Sequence, residues 1–165
     1  MTKTIIAINP GTRYWGISIF QGRDLVTFAV KTFADRGSVK HRTKAAKLAF
    51  LSLFDKYVPD ILVIEKPFCF WSKQSRFLSK ITEEIRNSAR MQRMKVCEYS
   101  PKTVRKVICN DENAKKTDTA KIICSANYYP ELEIFQGKRN KENYWGRMFD
   151  SIGLGICYLN MNKKH

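Results

Sequence analysis

A strand that ends on a polar residue and turns back through Pro-Gly constrains this chain more than any other feature. Residues 4–20 read TIIAINPGTRYWGISIF. Ile5, Ile6, Ala7 and Ile8 make an apolar strand and Asn9 closes it. Pro10 and Gly11 form a turn, and a second strand runs from Trp15 to Phe20. An almost wholly apolar strand asks to be covered on both faces. A polar residue at its C-terminal end, just before a Gly turn, falls where a sheet opens to solvent and chemistry is commonly placed. The pattern recurs where Ile61, Leu62, Val63 and Ile64 run into Glu65. Near the C-terminus, Asp150 heads an apolar run over 151–159 that reads as a helix. Three polar residues, each attached to a hydrophobic element, can converge at one edge of a sheet.

The rest of the chain supplies that sheet and its covering. A turn at 21–24 leads to a third strand over 25–32, which gives an antiparallel meander. Apolar residues Ala45, Leu48, Ala49, Leu51, Phe54 and Tyr57 recur at helical spacing over 40–57, and Pro59 stops the helix. A fourth strand over 62–65 is followed by an aromatic loop and a long helix over 72–94. One face of that helix carries Phe77, Ile81, Ile85 and Ala89. A brief fifth strand covers 96–98. Ser100 as N-cap and Pro101 at the first position then open another helix. Residues 109–114 read as a loop, 115–128 as a helix, 131–143 as a polar connection and 144–161 as the last helix. The order β-β-β-α-β-α-β-α-α-α predicts an α/β fold, a five-stranded mixed sheet with helices on both faces. The C-terminal ends of strands one and four lie side by side in it, with Asp150 brought beside Asn9 and Glu65. No linker divides the chain, and 1–165 reads as a single domain. Tyr14 and Trp15 belong to strand packing. Gly11 and Gly16 read as turn and close-approach residues, Gly153 and Gly155 as sites where the last helix packs tightly.

Charge narrows the class of partner. Thirty Lys and Arg stand against fifteen Asp and Glu in 165 residues, a formal net charge of +15. Such an excess favours a polyanion, and on so small a domain nucleic acid more than a membrane surface. No apolar run approaches the ~20 residues of a membrane span, and residues 1–3 lead straight into a strand without a secretion signal. The five cysteines lack CxxC spacing. They suggest buried small hydrophobes in a reducing compartment, and a cytoplasmic location is expected.

Four segments together resemble the RuvC-type Holliday-junction resolvases of the RNase H-like superfamily. AINPGTRYWGISIF resembles that family's first strand and turn, and Ile64–Phe68 (IEKPF) its second motif. Residues 99–105 with Ala114, Lys115 and Lys116 resemble its third, basic region, and DSIGLGIC from Asp150 its closing helix. Each motif alone is weak, but four in register along the whole chain are fairly specific. The resemblance implies the RNase H-like fold and a nuclease domain over 1–165. It also implies Mg2+-dependent phosphodiester hydrolysis of four-way DNA junctions in recombination and repair. Two Mg2+ per site are expected, with Mn2+ as a substitute, held by residues 9, 65 and 150. Separated acidic residues suit that chemistry, because Mg2+ takes hard oxygen ligands and paired ions clamp the attacking and leaving oxygens.

Two residues depart from the family. Its first acidic position is Asp, and here it is Asn9, an amide almost isosteric but neutral and a weaker ligand. The chain with Asn9 is therefore expected to be inactive or nearly so. Either an introduced Asp-to-Asn change or a natural non-cutting relative accounts for it, and the close fit of the surrounding segment favours the former. Asn9→Asp is expected to gain cutting. The second departure is Arg147, one helical turn before Asp150, where relatives generally have an acid or a His. An Arg there cannot ligate metal. It contacts phosphate or points away, which puts the ion count in question.

Binding residues follow the same resemblance. Residues 71–95 hold seven Lys and Arg against two Glu, among them Arg76 and Lys80. Arg105, Lys106, Lys115 and Lys116 add a second cluster. Such residues give salt-dependent, largely sequence-independent affinity for DNA. For most individual lysines a solvated helix face is the simpler explanation. Arg105 and Lys116 match basic positions near the scissile phosphate, and Lys116 joins Asn9, Glu65 and Asp150 as a candidate catalytic residue. Phe68 matches the family's stacking aromatic. Symmetric cutting implies a homodimer, with the face of Phe77, Ile81 and Ile85 as candidate interface or core. Branch-migration proteins are candidate partners, and no membrane is expected. Three other readings compete: an RNase H-like nuclease acting on structured RNA, a junction-binding protein that never cuts, and an actin-like ATPase. The short chain and positive charge argue against the last.

Overall fold

The computed structural model describes residues 1–67, 72–137 and 142–163. Five strands, β1 (Thr4–Asn9), β2 (Tyr14–Gln21), β3 (Asp24–Thr32), β4 (Ile61–Glu65) and β5 (Lys95–Tyr99), form one sheet in the order β3-β2-β1-β4-β5. The meander is antiparallel. β4 joins β1 in parallel, with Ile8 opposite Ile64, and β5 joins β4 in parallel. The mixed α/β sheet expected from the element order is present.

Strand periodicity divides the core into two layers. Ile6, Ile8, Leu62 and Ile64 face helices α1 (Val39–Tyr57) and α2 (Lys73–Met91), along with Trp15, Ile17 and Ile19. Ile5, Ala7, Ile61 and Val63 face α3 (Pro101–Cys109), α4 (Lys116–Ile123) and α5 (Glu142–Met161). Trp15, Phe20 and Phe50 are fully buried, each contributing roughly 1.5–3 kcal/mol by leaving water. Gly155 packs on Phe20, whose ring lies 2.1 Å from where a Cβ would be. Gly153 lies against Val104 and Ile108 of α3.

Several boundaries and surfaces differ from the sequence expectation. Of the two alternatives for the face of α2 carrying Phe77, Ile81 and Ile85, interface or core, it is core, buried against α1 and the sheet. Its helix stops at Met91, because Arg93 takes a left-handed φ of 59° and Met94 turns inward. α4 ends at Ile123, five residues before Tyr128. The polar stretch after it contains a 3-10 helix, Pro130–Phe135, pinned by buried Leu132. Pro at the start of that turn supplied a local signal that overall polarity hid. Arg86, counted among the basic residues for DNA, is tied to Glu83 and, at 2.7 Å, to Glu98. Cys157 is buried, which pushes its thiol up to about 12. Cys97, Cys109 and Cys124 are free and half-buried. Among the described residues, no helix is long and apolar enough to cross a membrane.

The cap of α3 follows the sequence. The Ser100 hydroxyl accepts from the Thr103 N–H at 3.2 Å, with Pro101 in the first turn. Ser100→Ala is expected to lower stability by about 1 kcal/mol. Thermal unfolding should register it as a fall in Tm of about 2–4 °C.

Candidate active site

β1 and β4 are adjacent and parallel, so their last residues, Asn9 and Glu65, emerge at the same sheet edge. Alternation decides which way they point. Residues 5, 7, 61 and 63 face α5, so residues 9 and 65 fall on that face too. α5 crosses the sheet directly above them. It can come so close because β2 has Gly16 opposite Asn9. A Cβ at Gly16 would lie 1.6 Å from the Arg147 carbonyl oxygen. Arg147 and Asp150 are three apart on α5 and therefore share one side of the helix.

The remaining side chains come from α3 and α4. Glu65, Arg105, Lys116, Thr119 and Asp150 line one small hollow, with Pro101 and Val104 as its apolar wall. Lys116 Nζ donates to Asp150 Oδ2 at 2.8 Å. Asp150 is mostly covered, while Lys116 is exposed. Burial first, and the nearby Asp150 charge second, raise the Glu65 carboxyl from 4.5 to about 7. Lys116, Arg147 and Arg105 oppose both. Glu65 is therefore partly protonated near neutral pH when no cation is bound beside it.

Asn9 sits differently. Its side chain is fully buried and does not line the hollow. Its Oδ1 accepts from Arg147 Nη1 at 2.8 Å, and the same nitrogen donates to the Pro10 carbonyl at 3.1 Å. Among the described residues, Asn9 Nδ2 has no hydrogen-bond partner. Asn9, Glu65 and Asp150 thus share a neighbourhood, but a guanidinium lies over the first of them.

The donor set bears on metal. Among the described residues, no group of three or more His, Cys, Asp or Glu comes together. Glu65 and Asp150 offer the one or two carboxylates that a single Mg2+ needs. Among the described residues, the further oxygens nearby are neutral: the Thr119 side chain in the hollow, and the Asn9 amide and Pro10 carbonyl, both of which accept from Arg147. Glu65 and Asp150 fit a divalent ion, and Asn9 and Arg147 supply no further carboxylate beside them.

Other candidates fall outside the hollow. Lys115 is exposed beside it, and its backbone N–H donates to Asp118 Oδ2 at 2.9 Å. Arg76 and Lys80 lie on α2 and do not line it. Phe68 lies outside the described residues. Sequence reasoning missed Thr119, whose signal was only its place one turn after Lys116. It also missed a larger hollow of about 380 Å3 that shares Lys116 and Asp150 and is lined by Phe135, Trp145 and Phe149. Trp145 one residue before Gly146 on the last helix was the visible hint.

Known proteins resemble the chain along nearly its full length. A protein from Christiangramia forsetii called crossover junction endodeoxyribonuclease RuvC is 27% identical over 162 residues, 95% of this chain and 79% of that protein. One of the same description from Cytophaga hutchinsonii is 22% identical over 161 residues, 94% and 76% of the two chains. Thermus thermophilus RuvC, solved in complex with Holliday junction substrate, superposes with a TM-score of 0.77 at 13% identity. The match covers 96% of this chain and 94% of that one. The yeast mitochondrial Holliday junction resolvase Ydc2 gives 0.72 at 10%, over 94% and 77%. The fold is RNase H-like. No family model matches.

Proposed function

We propose, from the premise that this chain is a RuvC-type resolvase with the RNase H-like fold, that it is a structure-selective endonuclease for four-way DNA junctions. With Asn9 at the end of β1, it binds junctions and cuts them little or not at all. One observation carries the reading: Glu65 and Asp150, acidic residues from distant segments, meet Arg105 and Lys116 in one hollow at the strand ends. Arg105 and Lys116 engage phosphate oxygens, and Lys116 swings from Asp150 to do so. Glu65, partly protonated near pH 7 when no cation is bound, serves as a carboxylate ligand once it gives up that proton.

RuvC-family nucleases are generally divalent-metal dependent. Here Glu65 and Asp150 would hold one ion, Mg2+ or in its place Mn2+. When bound, such an ion supplies polarisation of phosphoryl oxygens and activation of water. Asn9 contributes little to that binding, which is the reason for weak cutting. Lys115, Arg76, Lys80 and Phe68 belong to the proposed DNA surface beyond the hollow. A single domain, a homodimer and a cytoplasmic setting complete the proposal. The free thiols support the last. The homodimer contact must use a surface other than the buried α2 face.

The test compares affinity for a four-way junction, a linear duplex of equal length and a structured RNA. The junction should bind most tightly, with affinity falling steeply as salt rises. Arg105→Ala and Lys116→Ala should each weaken binding and reduce the salt slope by about 1. Preference for RNA, or equal affinity for duplex and junction, would overturn the assignment.

A further inference from the structure

We infer that Arg147 is a built-in cation standing where a second divalent ion would otherwise sit, so that the Asn9 end of the site binds a DNA phosphate without metal. The inference deepens the function proposed above and rests on that reading of the pocket as a phosphate-facing site.

Four observations carry it. The guanidinium is held rather than loose: Nη1 donates to Asn9 Oδ1 at 2.8 Å and to the Pro10 carbonyl at 3.1 Å. These are hard oxygen atoms of the kind a divalent ion takes. Space has been kept for it as well. A Cβ at Gly11 would lie 2.5 Å from the Tyr14 carbonyl oxygen and also 3.1 Å from Arg147 Cζ and 3.2 Å from Nη2, and the tight approach at Gly16 fixes the backbone that carries Arg147. Next, donors are left over. A guanidinium has five N–H groups, and among the described residues only Nη1 is engaged by hydrogen bonds. The other N–H groups form the planar fork that matches a phosphate. Last, the charge is already supplied, because Arg147, Lys116 and Arg105 surround the carboxylates of Glu65 and Asp150. A second divalent ion would add its repulsion to a site with more cations than acids.

Asn9 and Arg147 are then a matched pair. An amide gives the guanidinium an oxygen without neutralising it, so the positive charge stays available to DNA. Asp at position 9 would instead form an ion pair with Arg147. Asn9→Asp alone is therefore not enough to build a second ion site, in line with the question that Arg147 raised in the sequence.

Two measurements test this, and they fail separately. Mn2+ binding is measured by calorimetry without DNA. The protein should take up at most one ion, and Asn9→Ala should leave that number unchanged. Asn9→Asp should add none, while the double variant Asn9→Asp with Arg147→Asp should gain a further ion. Uptake of two ions by the unaltered protein, loss of an ion in Asn9→Ala, or a gain in Asn9→Asp alone overturns the inference. Junction affinity is then measured in EDTA and in Mg2+ at matched ionic strength. The two values should agree within about threefold, and Arg147→Gln should weaken binding about tenfold in EDTA, the loss of one charge-assisted contact. If Arg147→Gln does not fold, Arg147→Lys keeps the charge without the fork and should show a smaller loss. Binding that appears only with Mg2+ overturns the inference. Absence of any junction preference, with or without metal, defeats the function proposed above, while the Mn2+ count still decides the role of Arg147.

Discussion

Gly16→Ala is expected to cost about 3 kcal/mol or more and to lower Tm by roughly 6–12 °C. The added methyl would sit 1.6 Å from the Arg147 carbonyl oxygen, 2.2 Å from its carbon and 3.0 Å from the Met148 nitrogen. All three are backbone atoms of α5, so no side chain can rotate to make room. The helix would have to lift as a body, and its buried residues Met148, Ile152, Leu154 and Ile156 would lift with it. The same motion would draw Arg147 off Asn9. Among the described residues, nothing lies within 4 Å of where a Cβ would be at Gly146, one residue before Arg147 on α5. Gly146→Ala should therefore stabilise by about 0.5–1 kcal/mol through helix propensity. Thermal unfolding of the two variants side by side checks the argument. Similar Tm values would show that α5 does not pack on β2 this tightly.

The second large effect is a pH dependence centred on Glu65. Its carboxyl is raised from 4.5 to about 7, by burial first and by Asp150 second. A carboxyl raised on folding favours the folded state while protonated. That contribution is complete below about pH 4.5 and is lost as pH rises to about 7. The shift corresponds to about 3 kcal/mol across this window. Glu65→Gln keeps the shape and removes the charge. In EDTA it should resemble the unaltered protein at pH 4.5 and be more stable by up to about 3 kcal/mol at pH 8. Chemical denaturation at the two pH values measures the difference, and a gap that does not grow with pH would rule out a buried, charge-strained Glu65. The excess stability of Glu65→Gln at pH 8 also reports the cost that a bound cation must offset. Mn2+ should accordingly stabilise the unaltered protein more than the variant.

Much of this architecture was legible because local pattern and burial agree. Two apolar runs ending in Asn9 and Glu65 had to be central strands, since nothing polar interrupts them, and their parallel pairing follows from the intervening helix. Alternation then put both end residues on one face. Capping residues marked α3, and helical spacing marked α1 and α2. The end of α2, the 3-10 turn at Pro130 and the true length of α4 were not legible, because they depend on what Met94 and Leu132 find to pack against.

The sequence by itself determined the fold class, the three-strand meander with strands one and four side by side, and the presence of acidic and basic groups that a sheet edge could gather. Hydrophobic periodicity is a local property, and it survives reading one residue at a time. Tertiary structure alone decided that Arg147 turns onto Asn9 and not toward solvent, that Arg86 is consumed by Glu83 and Glu98, and that the α2 face is core. Residues 9 and 147 lie 138 positions apart, and a charge reveals its partner only when packing has brought the two together.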